Sequence, residues 1–495
     1  MAVSILEQVE AGARVETEEI PLYRSVAERI SSLIESGAYK PGERLPSIRS
    51  LSRQMRVSIN TVKSAYDLLE VSRVVAPRPQ SGYYVRNRLP DVPTTPPINL
   101  DSLVPTEAAT GRLAALVHQD IGRPDLVMLG AAIPPVEALP SAPLARLMAR
   151  EIQAHPEESM RYRIPPGEPR LREQIARCML EAGCLVSPAE VVVTAGCQEA
   201  VSLALLALCT PGDTVAIESP AYFSFIQQLE RLRLKGIEIP STPSDGVSLE
   251  ALDYALGREQ VTACLFTPNF SNPLGSLMPE ENKKRLLDIL ERHHVPLIED
   301  DIYGDLSHSP ERPRAVKSFD ATGNVILCSS FSKSLCPGYR VGWIVAGRWQ
   351  EKVEHIKMTL GVATSTPAQM AVAAYLSTGA YVRHIRRIRQ LFGANVRATA
   401  EALGEAFPGG TRVTRPTGGM VLWVEAPPPF DSVELFEAAR SHGISIAPGP
   451  IFSLTGRYRN ALRINAARWS GEVERAVRTL GDLAHRQQEK SGLSA

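Results

Sequence analysis

The sequence predicts two folded units: a small helical unit that ends in a β-hairpin, and a larger α/β domain built on a mostly parallel sheet. The chain has 495 residues, which is more than one ordinary domain. Residues 89–105 carry five prolines, which exclude a helix or central strand there and favour an extended linker. Behind them, short β-branched runs alternate with helical stretches, as in a sheet covered by helices on both faces. We therefore expect domains at 20–88 and 120–487, joined by a proline-rich linker at 89–119.

The first unit is predicted from its periodicity and its helix caps. Its first helix places five apolar side chains on one face: Leu22, Val26, Ile30, Leu33 and Ile34. Ser47 and Ser58 stand where the N-caps of a second and a third helix are expected. Two short β-like runs, VVAP and GYYV, follow and are joined by RPQSG. This order of helices and hairpin predicts a winged helix-turn-helix.

Local charge indicates a partner for this unit. Between residues 40 and 88, ten Lys and Arg residues stand against three Asp and Glu residues, although the whole chain has a formal net charge of zero. Such a local excess is the pattern expected of contacts with the phosphates of double-stranded DNA. The other interpretation is a small helical domain with a solvated basic face.

Three stretches of this unit, PGERLPSIRSLS, VSINTVKSAYDLLE and RPQSGYYV, closely resemble the GntR family of winged helix-turn-helix regulators. The resemblance implies DNA contacts at Arg49, Ser58, Asn60, Thr61 and Lys63. It also implies that Gly82 lets the tip of the wing approach the minor groove. One position departs from the pattern, because many members have a basic residue directly after the capping Ser or Thr, where this chain has Ile59.

Six apolar runs behind the prolines are predicted as strands of the larger domain: 191–196, 214–219, 261–267, 295–300, 325–330 and 341–346. Their near-continuous apolar character indicates a sheet that is buried on both faces.

Lys333 lies directly after the fifth of these runs, in SFSKSLCPGYRVGW. A lysine in an apolar strand-turn region is costly unless it is used or neutralised, and a desolvated amine can form a Schiff base with an aldehyde. Ser330 and Arg340 flank it and suit a phosphate dianion. The backbone N–H groups at the start of a helix suit the same anion, and one such helix start follows a predicted strand at Gly196, Cys197 and Gln198. A lysine beside a phosphate site suggests pyridoxal 5′-phosphate.

Five further residues offer the other groups that this cofactor needs. Asp300, at a predicted strand end, can keep the ring nitrogen protonated. Asn272 and Tyr303 can donate hydrogen bonds to the phenolic oxygen, and Tyr222 can cover the ring face. Arg463, in NALRINAA, can bind a substrate carboxylate.

Taken together, the motifs resemble the class I/II aminotransferases of fold type I over roughly residues 120–485. The matching stretches are YRIPPGEPRLREQIA, TAGCQEA, ESPAY, NPLG, EDDIY, SFSKSLCPGYRVGW, PTGGMVLW and LRINAA. The resemblance implies a mixed, mostly parallel sheet with a small C-terminal α+β subdomain. It implies that Lys333 holds pyridoxal phosphate as an internal aldimine and that Gly130 lies in the substrate site. It also implies a homodimer in which Tyr162 reaches the cofactor phosphate of the neighbouring subunit. Cys197 stands where Ser, Thr or Ala is common in the family.

A GntR-type domain joined to an aminotransferase-like domain resembles the MocR-type transcriptional regulators. The leading interpretation is a DNA-binding regulator that senses an amino compound, or pyridoxal phosphate itself, through aldimine exchange at Lys333. The alternative is a working aminotransferase, converting an amino acid to a 2-oxo acid, with an accessory DNA-binding domain. A different pyridoxal-phosphate enzyme, such as a lyase, needs the same residues and stays open.

The remaining features concern location and metals. The N-terminal stretch is too acidic and too weakly apolar for a signal peptide, and no run of about 18 apolar residues occurs. The seven cysteines are scattered and form no Cys-x-x-Cys pair, which speaks against structural zinc and for a reducing compartment. We therefore expect a cytoplasmic protein with no membrane contact and no metal site.

Overall fold

The computed structural model describes residues 21–35, 38–39, 42–71, 74–78, 81–85, 89–94, 100–109 and 111–492. It divides into two compact units between Leu89 and Pro90. Its helices are α1 (Leu22–Glu35), α2 (Ile48–Met55), α3 (Ile59–Val71), α4 (Arg112–Asp120), α5 (Ser141–Ala154), α6 (Pro156–Met160), α7 (Pro169–Glu181), α8 (Cys197–Leu208), α9 (Phe223–Arg231), α10 (Leu249–Arg258), α11 (Glu280–Arg292), α12 (Gln350–Gly361), α13 (Thr366–Ser377), α14 (Ala380–Ala406), α15 (Ser432–Ser441) and α16 (Gly471–Gly492). Its strands are β1 (Val75–Arg78), β2 (Gly82–Val85), β3 (Thr106–Glu107), β4 (Val127–Met128), β5 (Val191–Thr194), β6 (Thr214–Ser219), β7 (Lys235–Thr242), β8 (Gly246–Val247), β9 (Ala263–Phe266), β10 (Leu297–Asp300), β11 (Val325–Ser330), β12 (Gly342–Val345), β13 (Arg412–Val413), β14 (Val421–Glu425), β15 (Ile444–Ser445), β16 (Ala447–Pro448) and β17 (Ala461–Asn465).

The smaller unit packs helices α1 to α3 against the antiparallel hairpin β1–β2, which confirms the predicted winged helix-turn-helix. Ser47 caps α2 by accepting a hydrogen bond from the Ser50 amide at 3.2 Å. Ser58 caps α3 in the same way, by accepting from the Thr61 amide at 3.0 Å. The ring of Tyr66 is fully buried and stacks on Tyr83 of the wing at 4.5 Å. This contact fixes the hairpin against the third helix.

Two side chains of α1 do not lie where the periodicity predicts. Val26 and Ile30 are buried, but Leu22 is 60% exposed and Leu33 is 41% exposed. Helix α1 packs on α3, and Ile34 of its last turn is half-buried against the same core, whereas Leu22 and Leu33 lie toward the surface. Part of the basic region lies outside the described residues, namely Lys40, Arg73, Arg86 and Arg88, as does part of the wing turn RPQSG.

Within the described residues, the larger unit contains a nine-stranded mixed sheet with the order β3-β7-β6-β9-β10-β11-β12-β5 and β8 beside β7. Strands β7, β6, β9, β10 and β11 are parallel, and β12 runs antiparallel to both β11 and β5. The carboxyl ends of β5, β6, β9, β10 and β11 therefore meet at one edge of the sheet. Ligands bind at this edge in open α/β sheets. All six predicted strand runs contain a strand of this sheet.

Helices cover both faces of this sheet, which explains its fully buried strands. A smaller antiparallel sheet with the order β13-β14-β17-β16 follows the long helix α14 and is accompanied by α15 and α16. This arrangement is the expected C-terminal α+β subdomain. Its strand β17 carries Arg463, which brings this side chain to the main sheet.

The structure differs from the predicted linker at 89–119. The described residues from Pro90 onward belong to the larger unit. Strand β3 extends the main sheet by pairing with β7, and Leu103 is buried in the core. Residues 112–120 form α4 with Val117 buried, so they are folded rather than extended. The apolar side chains of this segment gain more from burial than a solvated linker would allow. Pro96 and Pro97 lie outside the described residues.

All seven cysteines lie in the larger unit and are free thiols. Within the described ranges, no helix is long and apolar enough to cross a membrane. Within these described ranges, no group of three or more His, Cys, Asp or Glu side chains is arranged to hold a metal ion.

Candidate functional site

A cavity of about 360 Å³ opens at the carboxyl edge of the main sheet. It brings together nine of the residues that the sequence predicts for the site: Cys197, Gln198, Tyr222, Asn272, Asp300, Tyr303, Lys333, Arg340 and Arg463. They come from distant parts of the chain because most of them follow different strand ends. Gly196, Ser330, Gly130 and Tyr162 do not line the cavity itself, and their positions are described below.

Lys333 lies three residues after β11, and its Nζ donates a hydrogen bond to the Ala132 carbonyl at 2.7 Å. The pKa of Lys333 is lowered to about 8, chiefly by burial and also by the neighbouring Arg463 and Arg340, while Asp300 opposes them. At pH 7 about a tenth of such amines are neutral, far more than for an ordinary lysine. The side chain is therefore suited to attack a carbonyl carbon.

Asp300 is the last residue of β10 and is buried. Its Oδ1 accepts hydrogen bonds from the Cys197 thiol and from the Ile302 amide, each at 3.1 Å. Burial raises the pKa of Asp300 to about 6, although these hydrogen bonds lower it. The carboxylate therefore lies in an apolar setting where a cationic partner would stabilise it.

Arg340 lies next to the start of α8. Its Nη2 donates to the Ala195 carbonyl at 2.7 Å and its Nη1 donates to Ser332 Oγ at 3.1 Å. Gly196 has a φ of +95°, and a Cβ added there would overlap the Arg340 guanidinium. Position 196 therefore requires glycine for two reasons: its positive φ disfavours other residues, and the Arg340 guanidinium leaves no space for a side chain. The cationic side chain and the free N–H groups of α8 form one electropositive corner.

Ser330 ends β11 and is buried, where its Oγ accepts from the Ser332 amide at 3.2 Å. Ser332 lines the cavity, and sequence reasoning missed it. The signal was present in the motif SFSK, because both serines lie within three residues of Lys333. Which of the two serines lines the cavity depends on the geometry of the turn, which a sequence pattern does not contain.

Arg463 is 1% exposed and contacts two other elements of the site. Its Nη1 donates to Asn272 Oδ1 at 3.0 Å, and its Nη2 donates to the Gly130 carbonyl. Its Nε has no hydrogen-bond partner among the described residues. Burial lowers its pKa, and no carboxylate of the described residues pairs with it in the structure. A Cβ on Gly130 would meet Ser445 Oγ at 2.6 Å, so only glycine fits beside the arginine.

Two tyrosines line the same cavity. Burial raises the pKa of Tyr303, and a side-chain hydrogen bond with Asn272 opposes this. Burial also raises the pKa of Tyr222, which precedes α9 and contacts Phe223 ring to ring at 5.2 Å. Both phenols are therefore neutral hydrogen-bonding groups near neutral pH.

One wall of the cavity was not predicted. Its side chains are Val117, His118 and Ile121, from and just after α4, together with Ile133 and Phe223. The amphipathic pattern RLAALVHQD could have indicated this helix, but the neighbouring prolines favoured a linker. Tyr162 lies elsewhere, 79% exposed, after α6.

The predicted DNA-contacting residues lie in the smaller unit. Arg49 is the second residue of α2, and Asn60, Thr61 and Lys63 lie in the first turns of α3. Arg49, Asn60, Lys63 and the cap Ser58 are exposed, and Thr61 is half-buried. Gly82 begins β2 with a φ of +109°, a backbone conformation that favours glycine.

Two family models match the chain. "Bacterial regulatory proteins, gntR family" matches residues 22–85, and "Aminotransferase class I and II" matches residues 124–480. The fold and the site therefore define a winged helix-turn-helix regulator unit followed by a fold-type I aminotransferase unit. The HTH-type transcriptional regulator YjiR of Escherichia coli (strain K12) is 40% identical over 94% of this chain and 99% of its own length. The chain belongs to the MocR-type transcriptional regulators, in which both units occur together.

Other relatives share all or part of this architecture. The "probable rhizopine catabolism regulatory protein MocR" of Rhizobium meliloti is 28% identical over 87% of each chain. The structure of the multiple substrate aminotransferase of Thermococcus profundus has a TM-score of 0.71 with 27% identity, covering 79% of this chain and all of that one. LysN, the α-aminoadipate aminotransferase of Thermus thermophilus, was solved with N-(5′-phosphopyridoxyl)-L-leucine; its TM-score is 0.70 at 29% identity, over 76% of this chain and 96% of that one.

Proposed function

We propose that this regulator binds double-stranded DNA through its smaller unit and holds pyridoxal 5′-phosphate at Lys333, where an amino compound acts as effector. The observation that carries the proposal is one cavity that contains Lys333, Asp300 and the buried guanidinium of Arg463, whose Nε has no hydrogen-bond partner among the described residues. Because DNA is the proposed partner, we also propose that the protein works in the cytoplasm.

The chemistry of the cavity fits this cofactor. Lys333, with its lowered pKa, is the amine that would bond to the aldehyde. Both hydrogen bonds described above for Asp300 end on Oδ1, so Oδ2 is available to a ring N–H. Asn272 and Tyr303 would hold the phenolic oxygen, and Tyr222 would cover the ring. When bound, the cofactor supplies a protonated ring that withdraws electrons from the carbon next to the substrate nitrogen.

The phosphate would lie in the electropositive corner next to Arg340. The backbone N–H groups at Gly196, Cys197 and Gln198 open α8 and favour an anion there. Because the thiol of Cys197 bonds to Asp300, its contribution to a phosphate would come from the backbone alone. Ser330 would be replaced in this role by Ser332, whose Oγ accepts from Arg340 and which lines the cavity.

Arg463 would bind the carboxylate of the effector. Its buried guanidinium carries an unpartnered Nε, and a bidentate carboxylate is the partner that guanidinium geometry favours. Gly130 would support this role indirectly, since its carbonyl holds the guanidinium and its missing side chain leaves room.

The active form would be a homodimer in which Tyr162 reaches the phosphate site of the partner. Tyr162 is 79% exposed and Met160 beside it is 87% exposed. The carbonyl of neighbouring Arg161 accepts from Thr366 Oγ1 at 2.8 Å, which holds this loop near the start of α13. Large exposed apolar groups beside a tyrosine of this kind suit a subunit interface.

DNA would be read by α2, α3 and the wing. Arg49, Asn60 and Lys63 are exposed on the helices, and Thr61 and the Ser58 cap lie beside them. Gly82 would let the wing approach the minor groove, because its φ of +109° allows a tight turn without a side chain. A working aminotransferase is the second candidate, since the cavity holds Lys333, Asp300 and Arg463, the amine, carboxylate and guanidinium that transfer of an amino group would use.

Binding to the DNA upstream of the protein's own gene tests the proposal. We would measure fluorescence anisotropy with and without pyridoxal phosphate and a panel of amino acids. The wild type should bind this DNA more tightly than random DNA, and an amino acid should shift the affinity only when the cofactor is present. Lys333→Ala should keep binding but lose the shift. Binding no tighter than to random DNA under every condition would leave the aminotransferase as the better proposal.

A further inference from the structure

The wall formed by α4 and its neighbours indicates which amino compounds the cavity accepts. We infer that the effector is an α-amino acid with an uncharged, largely apolar side chain, and that α4 selects it. This inference rests on the proposed function, because it takes Lys333 and the cofactor as the centre of the site.

One end of the ligand is set by Arg463. This guanidinium is buried, and among the described residues it has no acidic partner, only the Asn272 amide oxygen and the Gly130 carbonyl. A buried cation of this kind gains most from a carboxylate. With the amino group directed at the cofactor on Lys333, the carboxylate must lie close to the amine, as in an α-amino acid.

Another part of the cavity lining consists of neutral side chains. Val117, Ile121 and Ile133 are aliphatic, and Phe223 packs against His118 with ring centroids 4.9 Å apart. Burial and the charge of Arg463 both lower the pKa of His118, so its imidazole is uncharged near neutral pH. These five side chains present aliphatic and aromatic faces to whatever extends from the amino acid.

Among the described residues of this chain, the charged side chains that line the cavity leave none for a second charged group on the ligand. They are Asp300, Lys333, Arg340 and Arg463. In the proposed function the first three serve the cofactor, and Arg463 takes the α-carboxylate. A side-chain carboxylate or ammonium would therefore be buried against the α4 wall without a partner. Leucine or phenylalanine gains affinity there from burial of apolar surface.

The test uses the full-length protein loaded with pyridoxal phosphate. L-Leucine, L-phenylalanine, L-aspartate, L-glutamate and L-lysine are each titrated, while the visible absorbance of the cofactor and the heat of binding are recorded. We expect leucine and phenylalanine to bind at least about 10-fold more tightly than the three charged amino acids. Equal or tighter binding of a charged amino acid would overturn the inference.

A charge placed on the wall should reverse the preference. His118→Arg supplies a second cation, so aspartate and glutamate should gain at least about 10-fold in affinity while leucine weakens. His485→Arg, an exposed histidine of α16 outside the cavity, should change nothing and is the matched control. Ile121→Asp, at a side chain 46% exposed and so tolerant of substitution, should weaken phenylalanine by a similar factor.

The two proposals fail in different ways. If the protein takes up no cofactor at Lys333, the proposed function itself fails. If it takes up the cofactor and the His118→Arg and Ile121→Asp variants bind all five amino acids as the wild type does, α4 selects nothing and only this inference fails.

Discussion

The Cys197 thiol donates a hydrogen bond to Asp300 Oδ1 across 3.1 Å, between the first residue of α8 and the last residue of β10. Both side chains are buried. Burial raises the pKa of Cys197 well above its ordinary value, so the thiol remains a donor and Asp300 the acceptor. The cysteine that stands where Ser, Thr or Ala is more common is thus engaged with the carboxylate of Asp300.

The raised pKa of Asp300 predicts a pH-dependent stability. A folded-state pKa of about 6, against an ordinary 3.8, means that the folded protein binds this proton more tightly than the unfolded chain. The carboxylate therefore destabilises the cofactor-free fold progressively as the pH rises from about 4 to 6, by roughly 3 kcal/mol above that range. Asp300→Asn should raise the free energy of unfolding of the cofactor-free protein by about this amount at pH 8 and by less than ~1 kcal/mol at pH 4.

Urea unfolding followed by tryptophan fluorescence measures this change in the larger unit, because all four tryptophans lie there. Asp482→Asn, at an exposed site on α16, is the control and should have little effect at either pH. A gain in stability that is the same at both pH values would contradict the buried, ionised state of Asp300. With the cofactor present the sign should reverse, since the variant loses the carboxylate that would face the ring nitrogen.

Lys333 should be the residue that is fixed to pyridoxal phosphate by borohydride. Its lowered pKa of about 8 makes the neutral amine accessible, so the rate of cofactor uptake should rise between pH 7 and pH 8 and level off above about pH 9. Mass spectrometry of proteolytic fragments locates the adduct. Lys333→Ala should abolish it and Lys352→Ala, at an exposed lysine of α12, should not. An adduct on another lysine would show that the site is wrongly assigned.

Arg312 should be essential for the stability of the larger unit. Its guanidinium is 4% exposed and pairs with Asp301 at 2.5 Å and Asp305 at 2.6 Å, directly behind the site. Arg312→Ala leaves two carboxylates without their buried cation, which should cost about 3–5 kcal/mol. Arg285→Ala removes an exposed pair with Glu250 and should cost less than ~1 kcal/mol. Equal losses in the two variants, measured by urea unfolding, would refute this role for Arg312.

Much of this structure could be predicted from the sequence, because each strand and each motif is formed by residues that are close together in the chain. The strand runs are apolar enough to be recognised as strands from the sequence alone. Because parallel strands bring their carboxyl ends to one edge of a sheet, Lys333, Asp300 and Cys197 could be expected to meet at that edge. Helix α4 is assigned to the predicted linker because of the neighbouring prolines; its amphipathic pattern indicates a helix, but its burial depends on a core formed by distant residues. The position of Ser332 in the cavity lining and the direction of the Cys197 thiol depend on side-chain geometry that periodicity does not record.

DNA binding should depend on the exposed basic residues of α2 and α3. Arg49→Ala and Lys63→Ala each remove one cation from the proposed reading surface, so the affinity for the upstream DNA should fall while the absorbance of the bound cofactor stays unchanged. If the lost contact is to a phosphate, the slope of log affinity against log salt should decrease by about 1. Arg24→Ala, at an exposed position on α1, is the matched control and should bind as the wild type does. Because the larger unit is proposed to dimerise, the protected DNA should contain two half-sites, which footprinting can locate. Loss of binding by Arg24→Ala but not by the other two variants would move the DNA surface to α1.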